Sequence, residues 1–330
     1  MDIGDAARIT AVQTDVAQES GDLALYRAVR DRLKGGEHYY DALGTELRAR
    51  NFPTGSVFNW RPPLHLWLES KLAPAVSKAL LGACAVFCLI LALQVLHGQG
   101  RVAASISVIL MLAALSPVVI GQAHLLSEVW AAAFMTCSAL FLASGRWKPA
   151  VLAGLVAVLL RELVVLYIIV ALTIALFRGD RRQAVAWTGV LAVFAVYLGL
   201  HALEVGARLT DLDLRHDGGW IQFGGLGFVL ATVRMQPLLL IAPAAVTAIY
   251  LPLTVLGLLA WEDRKALVLR ATCIGFIAAF LVVGRPVNYY WGFLYAPLLA
   301  LGVGWSARGG KALAAALGIY PRLLGSAGWP

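Results

Sequence analysis

Long apolar runs alternate with short polar segments over most of the chain after residue 72. Nine runs have the hydropathy of membrane helices, at residues 73–96, 102–120, 129–144, 149–160, 163–177, 184–203, 236–260, 266–284 and 291–306. Several fall short of the roughly 20 residues that cross a bilayer, which is typical of half-depth or closely packed helices. The pattern predicts an all-α fold, a polytopic transmembrane helical bundle of about nine spans.

The first 72 residues are more polar and carry two short apolar elements. Leu25, Val29 and Leu33 recur at helical spacing in the first element, and residues 64–68 form a second, aromatic-containing element after Pro62-Pro63. Neither element is long enough to span a membrane. We therefore expect juxtamembrane helices that lie in the interface, with ordinary surface helices of a small outer domain as the alternative.

A charged pair, Arg161-Glu162, interrupts the apolar run 149–177. Charged residues at membrane depth are costly and indicate a functional site that faces protein or a water-filled cavity. As one helix, this run would be about 43 Å long, whereas the hydrocarbon core is about 30 Å thick. It is either one tilted span or a helical hairpin that turns at the charged pair.

The distribution of basic residues favours the hairpin. With a hairpin, one side holds 10 basic and 3 acidic residues, in the segments around Arg101, Arg146/Lys148, Arg178/Arg181/Arg182, Arg264/Lys265 and Arg308/Lys311. The opposite side holds 13 basic and 15 acidic residues. A single crossing would scatter the basic loops over both faces, contrary to the positive-inside rule. We therefore place the basic loops in the cytoplasm and the charged pair at the outer end of the helical hairpin.

This topology predicts three regions. Residues 1–72 form an extracytoplasmic segment, residues 73–306 form the bundle with an outer loop at 204–234, and residues 307–330 form a cytoplasmic tail. No apolar segment near Met1 explains how the first region is exported, so we expect a further membrane span ahead of it.

Composition excludes several other classes of protein. The net charge of +8 comes largely from the loops assigned to the cytoplasm, so we expect no binding to nucleic acid. All four cysteines lie in apolar runs and indicate neither a disulfide framework nor a zinc site. Asp211 and Asp213 have the spacing of a metal-binding Asp-x-Asp, but one such match is weak evidence. We predict no cofactor, and the sequence leaves a metal requirement open.

Five short motifs stand out on the predicted outer face. They are Asp22 ahead of an amphipathic helix, a Gly-x-x-Tyr-Tyr turn at 36–40, an aromatic-Arg-Pro-Pro element at 60–63, Ser127-Glu128 and Arg161-Glu162. Together with the topology, these motifs resemble the GT-C superfamily of integral-membrane glycosyltransferases, which use polyprenyl-phosphate sugars. The pattern is closest to the bacterial mannosyl- and arabinosyl-transferase-like branches. That family normally has a membrane span before the acidic loop.

The resemblance implies inverting transfer of a sugar from a polyprenyl-phosphate donor to a lipid, glycan or protein acceptor. Asp22 is the candidate general base, with a helix cap as the alternative. Arg161 is the leading ligand for the donor phosphate and Arg285 the second, since guanidinium groups suit phosphate oxygens. Glu162 would orient Arg161. Because adjacent residues of a helix do not face each other, we expect no simple salt bridge between them.

Further outer-face residues are candidates for supporting or sugar-binding roles, with helix capping or membrane anchoring as the alternative: Glu128, His124, Tyr39, Tyr40, Arg61, Tyr289 and Tyr290. A transporter or flippase for a lipid-linked or polar solute is the second hypothesis for function. A transporter needs polar groups through the whole membrane depth. The candidate residues are confined to one leaflet, which favours the transferase. Besides the donor and the acceptor, we expect this protein to contact membrane lipids.

Overall fold

The structure, a computed structural model, describes residues 21–211, 213 and 222–318. Within these residues every regular element is a helix, so the predicted all-α class is confirmed. The first 20 residues, the end of the tail and most of the tip of the predicted outer loop, including Asp217 and Trp220, lie outside the described residues.

The described part of the N-terminal segment, residues 21–72, contains three α-helices and a short 3-10 helix. Helix α1 covers Asp22–Lys34, α2 covers Tyr39–Ala49 and α3 covers Leu64–Lys71, with the 3-10 helix at Val57–Asn59. The apolar face of α1 packs into a small core together with α2, Trp60 and Leu66. This face is thus covered by protein, as in a surface helix of an outer domain, whereas α3 leaves Trp67 and Leu68 exposed.

The bundle follows in two groups of helices. The first comprises α4 (Pro74–Leu96), α5 (Arg101–Leu115), α6 (Ser127–Ala143), α7 (Trp147–Leu160), α8 (Val165–Phe177) and α9 (Arg181–Gly206). The second comprises α10 (Gly225–Val233), α11 (Pro237–Ile241), α12 (Ala244–Ala260), α13 (Ala266–Val282), α14 (Ala296–Ala300) and α15 (Ser306–Ala316). Short 3-10 helices cover Ser116–Val119, Ala123–Leu125, Glu162–Val164, Pro286–Leu294 and Leu301–Trp305.

In the part of the chain that the structure describes, three helical segments are long and apolar enough to cross a membrane: Pro74–Leu96, Arg101–Val119 and Arg181–Gly206. Five further apolar helices have 10–17 residues: Ser127–Ala143, Trp147–Leu160, Glu162–Phe177, Ala244–Ala260 and Ala266–Val282. Length and composition thus indicate a helical membrane protein, and the number of nine spans stays a prediction.

Two of the predicted spans are not continuous helices. The run 236–260 divides into α11 and α12, which are separated by Ala242 and Pro243 in extended conformations. The run 291–306 passes from a 3-10 helix through the short α14 into a second 3-10 helix. An apolar run sets burial but not helical continuity, because proline and tight packing against neighbouring backbone interrupt the hydrogen-bond ladder.

The chain folds back at Arg161, which confirms the predicted hairpin. Ser138 of α6 donates from its hydroxyl to the carbonyl of Ala150 at 2.6 Å, and the same oxygen lies 2.7 Å from the hydroxyl of Tyr167. In one straight helix, residues 150 and 167 would lie about 25 Å apart along the axis. One serine can contact both because α7 and α8 lie side by side. The face of the membrane at which this hairpin turns stays a prediction.

Candidate functional site

Arg161 ends α7 in an extended backbone conformation, with φ −148° and ψ 116°. The break lets its side chain turn toward two carboxylates. Its Nε lies 2.8 Å from Oε1 of Glu128, and its Nη1 donates to Oε1 of Glu162. The expectation that Arg161 and Glu162 do not pair is therefore wrong, because it assumed that both residues belong to one continuous helix.

The Arg161–Glu128 pair is buried among protein. The Arg161 side chain is 1% exposed and that of Glu128 is 0% exposed. Ser127 donates from its hydroxyl to Glu128 at 3.3 Å, and the Arg161 guanidinium carbon lies 6.0 Å from the centre of the Trp291 ring. Arg161 lines neither the cavity beside Arg61 nor the apolar groove next to that cavity. Its observed partners make it a support for Glu128 and Glu162.

A second arginine, Arg61, approaches the same carboxylate from the N-terminal segment. Its Nη1 lies 3.9 Å from Oε1 of Glu162. It also donates from Nε to the hydroxyl of Tyr26 at 3.0 Å and from Nη2 to the hydroxyl of Tyr290 at 2.8 Å. Glu162 thus lies between the buried guanidinium of Arg161 and the partly exposed guanidinium of Arg61.

A cavity of about 340 Å³ opens beside Arg61, and it is called the polar cavity here because charged side chains lie in its otherwise largely apolar wall. Its polar lining side chains come from α1, the 3-10 helix 57–59, the segment before α3 and residues 285–290: Asp22, Tyr26, Asn59, Arg61, Arg285, Asn288 and Tyr290. The structure thus gathers four of the predicted site residues, which are separated by more than 250 positions in sequence. The cavity offers two cations, a carboxylate and several hydrogen-bonding groups.

Asp22 and Arg285 have no partners of their own in this cavity. Within residues 21–211, 213 and 222–318, neither side chain forms a hydrogen bond or an ion pair. Asp22 is the first residue of α1 and makes no side-chain cap bond there. The helix-cap alternative for Asp22 therefore lacks its hydrogen bond, and both charged groups are available to a ligand.

An apolar groove of about 390 Å³ adjoins the polar cavity. Phe58 and Arg61 line both spaces, and Glu162 lies at the polar end of the groove. The walls of the groove come from α8, α9 and α13, among them Leu166, Phe194, Leu198, Ala279 and Phe280. The polar cavity and the apolar groove together form an amphiphilic site, and Arg61 lies where the two meet.

Three other predicted residues lie away from the polar cavity. Tyr39 and Tyr40 are buried in the core of the N-terminal segment, and Tyr40 places its hydroxyl 3.0 Å from Nδ1 of His201. Tyr39 reaches the site only indirectly, because its hydroxyl donates to the backbone carbonyl of Arg61 at 2.7 Å. Tyr289 is 46% exposed and packs edge-on against Tyr290. These tyrosines pack or support, and none of the three lines the cavity.

His124 belongs to a different buried cluster. Its Nε2 lies 3.9 Å from Oε2 of Glu69, and its carbonyl accepts a hydrogen bond from Nε1 of Trp130 at 2.9 Å. His65 places Nε2 3.1 Å from the same carbonyl. Sequence proximity to Glu128 suggested a shared site, but the 3-10 helix 123–125 points the two side chains to different neighbours.

The second aspartate of the Asp-x-Asp motif, Asp213, is engaged by protein. Asp213 forms an ion pair with Nε of Arg48 at 2.9 Å and accepts the backbone N–H of Thr210. The hydrogen bond from Arg48 holds the pKa of the Asp213 carboxyl well below its usual range. These contacts make Asp213 an anchor of the loop and leave its carboxylate engaged by protein.

Sequence reasoning missed Tyr26, which contacts Arg61 directly. Burial raises the pKa of Tyr26 above its ordinary value, so the phenol stays protonated and its oxygen accepts from the guanidinium. The signal was present, since Asp22 and Tyr26 are four residues apart and share one face of α1. Asn288 was also missed, because nothing in the segment 284–290 distinguished it from a loop residue.

No family model, no curated protein and no solved structure matches this chain. Its function is therefore inferred from the chemistry of the site.

Proposed function

We propose that this protein is an inverting glycosyltransferase that moves a sugar from a polyprenyl-phosphate donor to a lipid, glycan or protein acceptor. The reaction takes place at the outer face of a bacterial cytoplasmic membrane. The observation that carries this proposal is the position of Arg61 between a polar cavity that holds Asp22 and an apolar groove between membrane helices. A polyprenyl-phosphate sugar has the matching sequence of sugar, anionic phosphate and long apolar chain.

Arg61 and Arg285 bind the donor phosphate in this proposal. Both guanidinium groups line the cavity, and a guanidinium presents forked, permanently charged donors to phosphate oxygens. The first isoprene units occupy the groove, where burial of apolar surface contributes roughly 25 cal/mol per Å². Arg161, predicted as a direct ligand, acts instead through Glu162, which it holds beside Arg61.

Asp22 serves as the general base. Its carboxylate accepts the proton of the acceptor hydroxyl while that oxygen forms a bond to the anomeric carbon of the sugar. The bond from this carbon to the phosphate oxygen breaks, and the polyprenyl phosphate leaves with the electron pair. Arg61 and Arg285 stabilise the charge that develops on the leaving group. A single displacement inverts the configuration at the anomeric carbon.

Substitution of Asp22 tests this assignment. We expect Asp22→Asn to abolish transfer from a radiolabelled polyprenyl-phosphate mannose or arabinose while the protein still binds that donor. The matched control is Asp31→Asn, on an exposed carboxylate of the same helix, 55% accessible and paired only with Arg30 among the described residues. Full transfer activity in Asp22→Asn would remove Asp22 as the base.

The same donor separates the transferase from the transporter hypothesis. The purified protein is reconstituted into liposomes that carry the labelled donor in one leaflet. A transferase releases polyprenyl phosphate and glycosylates the acceptor, whereas a flippase moves intact donor to the other leaflet. Movement of the donor without its consumption would replace the proposed activity by transport.

A further inference from the structure

Three of the four cysteines converge inside the bundle, although they come from two helices that are distant in sequence. Cys84 and Cys88 lie one turn apart on α4, and Cys137 faces them from α6. The Sγ atoms of Cys88 and Cys137 are 3.1 Å apart, and those of Cys84 and Cys137 are 4.0 Å apart. All three sulphur atoms lie within 4.8 Å of one another.

The three thiols differ in their access to lipid. Cys88 is fully buried and Cys137 is 3% exposed, whereas Cys84 is only partly buried. Cys84 borders an apolar surface of α4 on which Val86 is 56% exposed and Phe87 is 43% exposed. A small apolar reagent dissolved in the bilayer can therefore reach Cys84 first.

Net charge favours a disulfide over a metal site at the three cysteines. Three thiolates around a monovalent or divalent cation leave a net negative charge, which is costly in an apolar interior. No His, Asp or Glu of the described residues joins the three thiols. A disulfide is neutral, and its formation removes two S–H groups from an environment that offers them few partners.

We propose that Cys88 and Cys137 form a disulfide that links α4 to α6, and that Cys84 is the thiol through which oxidation enters. A lipid-soluble quinone first takes two electrons and two protons from the thiols of Cys84 and Cys137. This step forms a bond between these two sulphur atoms and yields the quinol. The thiolate of Cys88 then attacks the sulphur of Cys137, and the Cys84 sulphur leaves as a thiolate that takes up the proton lost by Cys88.

Cys137 takes part in both steps. Cys137 is the shared partner, since its sulphur lies close to both other thiols. The final pair joins the two sulphur atoms that are already nearest and most deeply buried, which protects the bond from reductants in water. The product also links α4 to the helix whose first turn carries Glu128. This inference does not rest on the proposed transferase activity.

Thiol counting on the complete protein in native membranes tests the proposal. Membranes are treated with decylubiquinone, denatured and labelled with maleimide-polyethylene glycol, which adds a visible mass for each free thiol. We expect the label on four cysteines in reduced protein to fall to two after oxidation, and to return to four when dithiothreitol acts on the denatured protein before labelling. Mass spectrometry of the oxidised sample should identify the Cys88–Cys137 peptide pair.

Single substitutions to serine test the roles of the individual thiols. C84S should slow oxidation by quinone but end in the same Cys88–Cys137 link, and C88S should stop at a Cys84–Cys137 link. C137S should leave every remaining thiol reactive. The matched control is C273S, which removes a buried cysteine of α13 outside the cluster and should lose one label in both states.

Three results would overturn the proposal. One is the labelling of all four wild-type thiols after oxidation. Another is a link that includes Cys273 or a second copy of the chain. The third is protection that a chelator reverses and dithiothreitol does not, which would identify a metal site instead.

Discussion

Arg161 and Glu128 form an ion pair of 2.8 Å in which neither side chain is more than 1% exposed. The pair joins the end of α7 to the first turn of α6, so it fixes the turn of the α7–α8 hairpin against the bundle. Removing one partner of such a pair leaves an uncompensated buried charge. Glu162 cannot replace either partner fully, because it carries the same charge as Glu128 and is shared between Arg161 and Arg61.

We predict that Arg161→Met destabilises the protein by roughly 3–5 kcal/mol, as expected when one member of a buried ion pair is removed. The measurement is the thermal unfolding midpoint of the detergent-solubilised protein, followed by dye fluorescence. Arg178→Met is the control, because Arg178 also follows the end of a helix but is exposed and has no side-chain partner among the described residues.

A second substitution separates the charge effect from lost packing. Arg161→Met combined with Glu128→Gln should recover part of the stability, because it removes the carboxylate that Arg161→Met leaves unpaired. Equal midpoints for Arg161→Met and Arg178→Met would contradict a stabilising role of the buried pair.

Arg61→Lys should raise the KM for a polyprenyl-phosphate donor by about 10- to 100-fold. A lysine keeps the charge but cannot donate to Tyr26 and Tyr290 from one planar group, and hydrogen bonds to charged groups contribute roughly 1.5–3 kcal/mol each. Steady-state kinetics with a labelled donor measure the change.

The control for this prediction is Arg101→Lys, at the exposed start of α5. Tyr290→Phe should give a smaller effect in the same direction as Arg61→Lys, because it removes one of the two hydrogen bonds and leaves the guanidinium in place. If Arg61→Lys kept the wild-type KM, Arg61 would not contact the phosphate.

Filling the apolar groove should discriminate between donors by the length of their lipid chain. Ala279→Phe places a bulky ring in the groove lined by Phe194 and Leu198. We expect a higher KM for a decaprenyl-phosphate donor and little change for a donor with a short, water-soluble chain. Leu152→Phe, on a surface position that is 65% exposed, is the matched control. An equal rise in KM for both donors would place the lipid chain elsewhere.

The hairpin at Arg161 could be predicted from sequence, because the count of charges along the loops does not depend on tertiary contacts. This count predicted the hairpin, and the bridge from Ser138 to Ala150 and Tyr167 confirms it. The pairing of Arg161 with Glu128 could not be predicted, since it depends on a backbone break and on which helix packs against α7.

Dependence on tertiary packing also explains the other differences between the structure and the predictions from sequence. Cys88 and Cys137 lie in separate apolar runs, and only the packing of α4 on α6 brings their sulphur atoms together. His124 precedes Glu128 by four residues, a spacing that would align them on a helix. The chain between them is not one helix, so His124 faces Glu69 instead.

The free energy of unfolding should decrease as the pH is lowered from 6.5 to 4, because of His65. Burial lowers the pKa of His65 from 6.5 to about 4, so over this range the unfolded chain binds a proton that the folded protein does not. Neutral His65 makes its full contribution to the free energy of unfolding above pH 6.5. This contribution decreases by up to about 3 kcal/mol as the pH falls to 4 and below. Thermal midpoints across this range measure it.

His65→Gln should flatten this pH dependence. Because burial also lowers the pKa of His124, we expect a reduced slope rather than none. His97→Gln is the control, since His97 is exposed at the end of α4 and should leave the slope unchanged. An unchanged slope in His65→Gln would mean that His65 is protonated in the folded protein.

Gly257 allows α12 to approach the 3-10 helix 301–305 closely. A Cβ atom at this position would overlap the carbonyl oxygen of Gly302, which is backbone and cannot rotate away. Gly257→Ala should therefore force the two elements apart and cost about 1–3 kcal/mol, as overpacking of a tight core does. The same approach holds the rings of Trp261 and Trp305 in a stack with centres 4.1 Å apart.

That stack provides a readout at the site of the change. In Gly257→Ala we expect a weaker near-ultraviolet circular dichroism signal from the coupled indoles, together with a lower unfolding midpoint. The control is Gly199→Ala in α9, where an added methyl group meets open space and a helix gains about 0.5–1 kcal/mol from alanine. If Gly257→Ala left both signals unchanged, the close contact between Gly257 and Gly302 would not exist in the folded protein.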